Sequence, residues 1–386
     1  MDPRPACLVT NIVSPYRREP FRLLAAAEDV EVIAWGEDAG PPVRGLTVHR
    51  ATQAGAARLA AGGRYRAVIC GLNGRVALSG SYLAARARRL PFVLWVGIWA
   101  HPRTPAHALS VLPTRHLYRS ADAIATYGLH VTRHVEAHRG ARGGVFVAAQ
   151  AVDVEHFGAP VREHDVAQAR ARAGAGDADL LVLFVGRLEE AKGVRVLLEA
   201  WREANLGPTA RLALAGAGPL QAEAERVRSG VRVLGYLGPL ELPALYAAAD
   251  VLVLPSVRTA TFTEPWGLVT NEAMLQRTPV VASDAVGAAA GGLVRDGRNG
   301  LVFPAGDSAA LSVRLQALSR SPQLRERLGA AARADASELT PAAWAQGMRR
   351  ALAHAGALRD AIEGGRRPDG QRGHRPRWQP PRAPSC

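Results

Sequence analysis

Short apolar runs alternate with amphipathic helical stretches along almost the whole chain, and the alternation happens twice. In the first series ACLVTNIV (6–13), VEVIAW (30–35), RAVICG (66–71), PFVLWVGIW (91–99), ADAIATYG (121–128) and GGVFVAA (143–149) read as strands. Several are apolar with hardly an interruption, as strands buried on both faces are, and helical patterns such as GRVALSGSYLAARARRL (74–90) lie between them. After a break at Gly158–Pro160 a second series begins: LLVLFVG (180–186), RLALAG (211–216), VRVLGY (231–236), DVLVLP (250–255), PVVASD (279–284) and GLVFP (300–304). Its helices, for example VRVLLEAWREAN (194–205) and ELPALYAAAD (241–250), carry apolar residues at three- and four-residue spacing. The pattern predicts an α/β fold of two Rossmann-like, doubly wound domains, 1–157 and 158–340. Ligands of such sheets bind at strand C-terminal ends, so facing sheets would place a site in the cleft between domains. A helix is expected over 341–363.

A chain of 386 residues suits two domains, and 48% hydrophobic with 21% charged residues is a globular balance. Cys7 and Cys70 fall in strand-like runs and read as buried reduced thiols; with Cys386 they make an odd count without a disulfide framework. The N-terminus lacks a basic region followed by an apolar core, and no apolar run reaches the ~18 residues of a membrane span. A cytoplasmic location is expected. The net charge of +14 invites a nucleic-acid reading, yet part of it is local: in 364–386 six arginines face one aspartate. That Pro/Gly/Arg-rich segment has no apolar periodicity and is expected to be a disordered basic tail. The remaining +9 on the folded body could attract phosphates or anionic lipid, and basic helices such as SYLAARARRL (81–90) fit either a peripheral membrane contact or a solvated face.

Of 48 Lys and Arg residues only Lys192 is a lysine. It lies in GRLEEAKG, between the first strand of the second series and a helix. A strand end opening on a helix start is a ready anion site, through free amides and the helix dipole. Arg187 offers a planar fork and Lys192 a compact point charge, while Gly186 and Gly193 let the backbone pass close. A surface lysine without function would have the same local sequence. In TEPWGLVTNEAMLQR (263–277), Glu264 precedes a predicted helix with Pro265 in its first turn, and Glu272 lies two turns further along that helix. Trp266, Gly267 and Leu268 would point free amides at the cleft. Carboxylates accept from paired sugar hydroxyls; the plainer alternatives are a helix-dipole partner and a solvated face.

GRLEEAKG, LAGAGPL, LGYLGPLELPALYAAADVLVLPS, EPWGLVTNEAM and GGLVRDGRNGLVFPAGD together resemble the family-4 retaining glycosyltransferases of the GT-B fold, over about Leu180–Asp307. ADAIATYGLHVTRHV and AAQAVDVEHF look like that family's end of domain one and its hinge, and the segment with Trp344 like the helix that returns to the first domain. The resemblance implies an acceptor-binding first domain and a second domain that binds a nucleoside-diphosphate sugar. Arg187 and Lys192 match the basic pair on the donor diphosphate; Glu264 looks like the carboxylate on the donor sugar and Glu272 like the one that holds the ribose. Trp266–Leu268 would supply amides, and Tyr236 and Leu237 lie where the family holds the base. In the first domain TNIVSPYRREP (10–20) lacks the usual glycine pair: Ser14, Pro15, Tyr16 and Arg17 occupy that loop, with Arg17 or Arg18 as a phosphate ligand. His101 resembles the histidine that reaches the donor sugar, with a plain loop role as the alternative, since His107 and His116 lie near it.

The implied reaction is transfer of the sugar to an acceptor hydroxyl with retention, by Arg187, Lys192, Glu264 and His101, without metal or cofactor, in a monomer or weak homodimer. The acceptor would be a glycan precursor, a lipid-linked sugar or a natural product. A nicotinamide dehydrogenase would need G-x-G-x-x-G after the first strand, which TNIVSPY lacks. A pyridoxal-phosphate enzyme could use the lone lysine, but its Arg-x4-Lys-Gly turn argues for phosphate. A GT-B epimerase of nucleotide sugars is the alternative enzyme, and a basic membrane- or nucleic-acid-binding protein the alternative outside enzymes.

Overall fold

The computed structural model describes residues 2–36, 41–227 and 230–363. The segment 364–386, read as a disordered tail, and Cys386 with it, lie outside the described residues. Among the described residues thirteen strands form two sheets. The first holds β1 (Ala6–Thr10), β2 (Val30–Ala34), β3 (Val48–Arg50), β4 (Ala67–Gly71), β5 (Phe92–Val96), β6 (Ala123–Thr126) and β7 (Val145–Val147). The second holds β8 (Leu180–Val185), β9 (Ala210–Ala215), β10 (Val231–Gly235), β11 (Val251–Leu254), β12 (Val280–Ser283) and β13 (Gly300–Phe303). The helices are α1 (Pro15–Glu28), α2 (Gln53–Ala61), α3 (Arg75–Ala87), α4 (Pro105–Ser120), α5 (Leu129–Arg139), α6 (Val154–Gly158), α7 (Glu163–Arg172) and α8 (Val194–Ala204). After them come α9 (Gln221–Glu225), α10 (Leu242–Ala248), α11 (Val269–Leu275), α12 (Gly287–Ala290), α13 (Ser308–Arg320), α14 (Pro322–Ala336) and α15 (Pro341–Glu363).

Both sheets are parallel throughout, in the orders β3-β2-β1-β4-β5-β6-β7 and β10-β9-β8-β11-β12-β13. Strands buried on both faces explain the near-continuous apolar runs. On β1 the side chain of Leu8 joins Phe21 and Leu24 of α1 and Trp344, Met348 and Leu352 of α15, whereas Cys7 and Val9 face α2, α3 and α5. Cys7 and Cys70 are buried free thiols, and burial pushes Cys70 up to about 12. In the second sheet Val182 and Phe184 face α8 and α13, while Leu181 and Leu183 face α10, α11 and α14.

One strand is unexpected. β3 is a three-residue edge strand, VHR, paired only with β2, and it has no apolar run because little of it is buried. The chain also crosses between domains earlier than 157/158. Ala148 and Ala151 belong to the first domain's core, but Val152 and Phe157 already pack in the second's. The return is made by α15: Trp344 lies 5.4 Å from the ring of Phe21 and 5.5 Å from that of Trp95, and Arg359 donates to the buried Asp122 at 3.1 Å.

Candidate active site

In the second sheet the chain winds outward from β8 to β9 and then resumes on the other side at β11. The loops that leave β8 and β11 therefore diverge from neighbouring strands, and such a switch point opens a crevice at the strand C-terminal ends. Lys192 ends a 3₁₀ turn, Glu190–Lys192, on the first loop, and Glu264 sits on the second. The loops are joined by the Val257 amide, which donates to Ala191 O at 3.0 Å. Gly193 has φ 70°, and a Cβ there would stand 1.8 Å from Pro255 O, so only glycine lets the lysine turn lie against the end of β11. Gly216, after β9, has the same constraint against Gly186 O.

Lys192 Nζ forms an ion pair with the buried carboxylate of Glu264, which also accepts from Ser256 Oγ at 3.3 Å. The ammonium lies 5.2 Å from the centre of the Phe262 ring. The expected helix does not begin at Pro265. Glu264 is bridged to Val286 and Pro265 forms a bend, and Glu264 O accepts from the Gly287 amide at 3.1 Å. Gly267 then takes a φ of 91°, so α11 starts only at Val269. Glu264 thus lies outside the helix that carries Glu272, and its backbone is held by the bridge to Val286. The amides of Gly267 and Leu268 precede the first turn, where no intrahelical acceptor exists for a helix's leading N–H groups.

Glu272 is partly buried on α11 and accepts from the hydroxyl of Tyr246, on α10, at 2.6 Å. Burial raises this carboxyl to about 7, against the opposing influence of that hydrogen bond and of His156, and pushes the Tyr246 phenol well above its ordinary value. Arg187 stays apart from the Lys192–Glu264 pair. It is 69% exposed and pairs with Glu189 at 2.8 Å, a surface contact that costs little to exchange. Tyr236 is exposed at the end of β10 and Leu237 is buried beside it. Trp266 is buried; its Nε1 donates to Asn271 Oδ1 at 2.8 Å, and Asn271 donates to Gln150 O at 3.1 Å, across the domain boundary.

The first domain presents a different histidine from the one expected. His101 Nε2 lies 3.0 Å from His107 O and 3.1 Å from Ser110 Oγ, turned to the start of α4. His130 crosses instead: its Nε2 is 3.0 Å from Pro265 O, and since a carbonyl only accepts, that nitrogen carries the proton. The ring is buried between Trp99 and Trp266, and burial lowers it to about 4. Trp99 Nε1 donates to Glu264 O at 3.1 Å. Two first-domain side chains therefore grip the backbone of Glu264–Pro265. No spacing rule singles out Trp99, His130, Ser256 or Tyr246; the apolar runs around them announce only burial.

In the β1–α1 loop Ser14 is the buried N-cap of α1 without a side-chain cap bond, and Pro15 opens the helix. Arg17 donates to Tyr127 Oη at 2.6 Å and lies 4.5 Å over the ring of Trp95 and 5.4 Å from that of Tyr16. This guanidinium sits at the C-terminal ends of β5 and β6, on the cleft side of its own sheet. Among the described residues no group of three or more His, Cys, Asp or Glu side chains could hold a metal ion.

Two doubly wound domains joined across a cleft, with a returning C-terminal helix, define a GT-B fold. HepE of Anabaena, solved with UDP and glucose, superposes with a TM-score of 0.72 at 20% identity, over 91% of this chain and 99% of that one. In the second domain, residues 165–335 match the model of glycosyl transferases group 1. The chain is 38% identical to a D-inositol 3-phosphate glycosyltransferase of Frankia alni over 231 residues, 55% of this chain and 53% of that protein. It is 39% identical to a phosphatidyl-myo-inositol mannosyltransferase of Mycobacterium leprae over 155 residues, 39% and 40% of the two chains. The matches span about half the length, or less, of these curated relatives.

Proposed function

We propose that the protein transfers a sugar from a nucleoside-diphosphate sugar to an acceptor hydroxyl, with retention at the anomeric carbon. The observation that carries this reading is the Lys192–Glu264 pair at the switch point of the second sheet, gripped from the first domain by Trp99 and His130. The names of the relatives are those of sugar transferases, and a neighbour in fold was solved with UDP and glucose.

In this scheme the diphosphate draws the Lys192 ammonium and the exposed Arg187 guanidinium, and Glu264, released from its counter-ion, accepts from donor-sugar hydroxyls. Glu272, ionised, accepts from the ribose. The bond from the anomeric carbon to the phosphate oxygen breaks and the acceptor oxygen bonds to the same face. The acceptor proton passes to the departing phosphate oxygen, so no side-chain base is needed. Charge develops on the leaving diphosphate, and fixed cations in a site closed to water stabilise it most. Lys192 and Arg187 supply the charge that a divalent ion would otherwise bring, so the reaction is proposed to run without metal. A glycan precursor, a lipid-linked sugar and a small natural product all offer a suitable hydroxyl.

A thermal-shift and hydrolysis screen across uridine, guanosine, adenosine and thymidine diphosphate sugars tests the reading. One donor should raise the melting temperature and release its nucleoside diphosphate, and NMR of the product should show the donor's anomeric configuration. Release of no nucleoside diphosphate from any of them, or an inverted product, overturns it.

A further inference from the structure

We propose that the outer face of the first domain, built from α3 and α4, docks on an anionic lipid bilayer. Eight large apolar side chains stand open to solvent among the described residues, and four of them lie on these two helices: Leu109 (84% exposed), Leu112 (74%), Leu83 (63%) and Val76 (54%). They are not scattered. Val76 and Leu83 are seven residues apart, two turns along one face of α3, and Leu109 and Leu112 share a face of α4. The two helices are joined at the surface by Tyr82 and His116, whose side chains hydrogen-bond at 3.1 Å. The opposite faces hold the core contacts, Ala77, Ser81 and Ala85 on α3 and Leu117 and Tyr118 on α4. Single exposed leucines need no explanation, but a grouped aliphatic patch marks a contact surface.

Charge identifies what covers it. From Pro41 to Ala121 the chain has twelve arginines and no aspartate, glutamate or lysine. Arg75, Arg88, Arg89, Arg115 and Arg119 are exposed on or beside these helices, so the leucines stand among cations with no acidic side chain on either helix. Exposed leucines on helices that carry exposed arginines and no carboxylates fit the boundary between acyl chains and anionic headgroups, where apolar burial and attraction to phosphate act together. A nucleic acid would use the arginines and leave the leucines in water; a second copy of this face would oppose like charges. The surface ends at the cleft: the loop that leads into α4 meets the second domain where the Arg103 amide donates to Ala260 O at 2.6 Å. Docking would hold the mouth of the cleft beside the bilayer. The inference stands on surface chemistry alone and does not depend on the sugar-transfer reading.

The test is co-sedimentation of the full chain with phosphatidylcholine vesicles containing or lacking phosphatidylglycerol, at low and high salt. The chain should sediment with the anionic vesicles at low salt and much less with neutral ones. Leu109→Ser with Leu112→Ser, and Arg75→Gln with Arg89→Gln and Arg115→Gln, should each lower binding by about tenfold or more, with unchanged melting curves. Sedimentation of both variants like the parent overturns the proposal, as does equal binding to neutral vesicles. Analytical ultracentrifugation adds one more route to refutation: a dimer that the leucine substitutions abolish, with vesicles left unbound, assigns the patch to a second copy.

Discussion

Replacing Lys192 by alanine separates two things its ammonium does. In the folded protein it neutralises Glu264, a buried carboxylate whose other side-chain partner is the Ser256 hydroxyl. Breaking a buried pair by removing one member costs about 3–5 kcal/mol. Lys192 keeps some contact with solvent, so the low end of that range applies, and the melting temperature should fall by several degrees. In the reaction the same ammonium is proposed to meet charge that grows on the leaving diphosphate. Loss of one such fixed donor costs about 10²–10³ in turnover, or about 2.7–4 kcal/mol of transition-state stabilisation.

The two losses are separable because they have different partners. Lys192→Ala should be both destabilised and slow. Adding Glu264→Gln removes the orphaned charge, so the double variant should recover most of the lost melting temperature and none of the turnover. Calorimetry gives the first quantity, and release of nucleoside diphosphate from the donor chosen in the screen gives the second. Lys192→Ala with turnover within about threefold of the parent would refute the assignment of this cation to the diphosphate, since no electrostatic role at the reacting bond is so small. Recovery of turnover in the double variant would refute it as well, by showing that activity followed stability alone.

Two further outcomes are expected. Because burial raises Glu272 from its ordinary 4.5 to about 7, this group favours the folded state fully below pH 4.5 and loses that contribution as the pH rises through 7; the change is worth about 3 kcal/mol. Glu272→Gln should therefore flatten the dependence of melting temperature on pH between 4.5 and 7 and melt above the parent at pH 8. A parallel pair of curves would exclude the raised value. Trp99→Phe with His130→Gln loosens the grip on the Glu264–Pro265 backbone and should lower kcat/KM by about tenfold, the worth of one or two interdomain hydrogen bonds, with little change in melting temperature. Kinetics indistinguishable from the parent would leave those contacts without a part in transfer.

The sheets were legible because parallel strands are apolar on both faces, and the helix registers because their buried stripes recur at three and four residues. β3 was not, since an edge strand of three residues with little burial leaves no pattern. In the site, Lys192 and Glu264 announced themselves: one is the lone ammonium in an arginine-rich chain, and the other precedes a helix. Their direct pairing was hidden because it depends on β8 and β11 being neighbours, a fact of strand order that spacing along the chain does not encode. His101 illustrates the same limit. A histidine after β5 and another after β6 are equivalent as sequence, and only the packing of Trp99 and Trp266 around His130 decides which of them crosses the cleft.

That crossing bears on how the domains cooperate. The carboxylate of Glu264 is held by second-domain groups, Lys192 and Ser256, while its backbone carbonyl accepts from first-domain Trp99 and the next carbonyl from His130. Any rotation of one domain against the other must therefore stretch these bonds or drag the Glu264–Pro265 segment with it. The segment cannot yield freely, because Gly287 and Ala288 anchor it from the second domain through the carbonyls of Glu264 and Trp266. In the proposed reaction the carboxylate that reads the donor sugar would then be aimed correctly only when both domains engage it. An enzyme that must keep a reactive sugar from water gains by such an arrangement, since an open cleft would leave the donor bound but poorly oriented for attack.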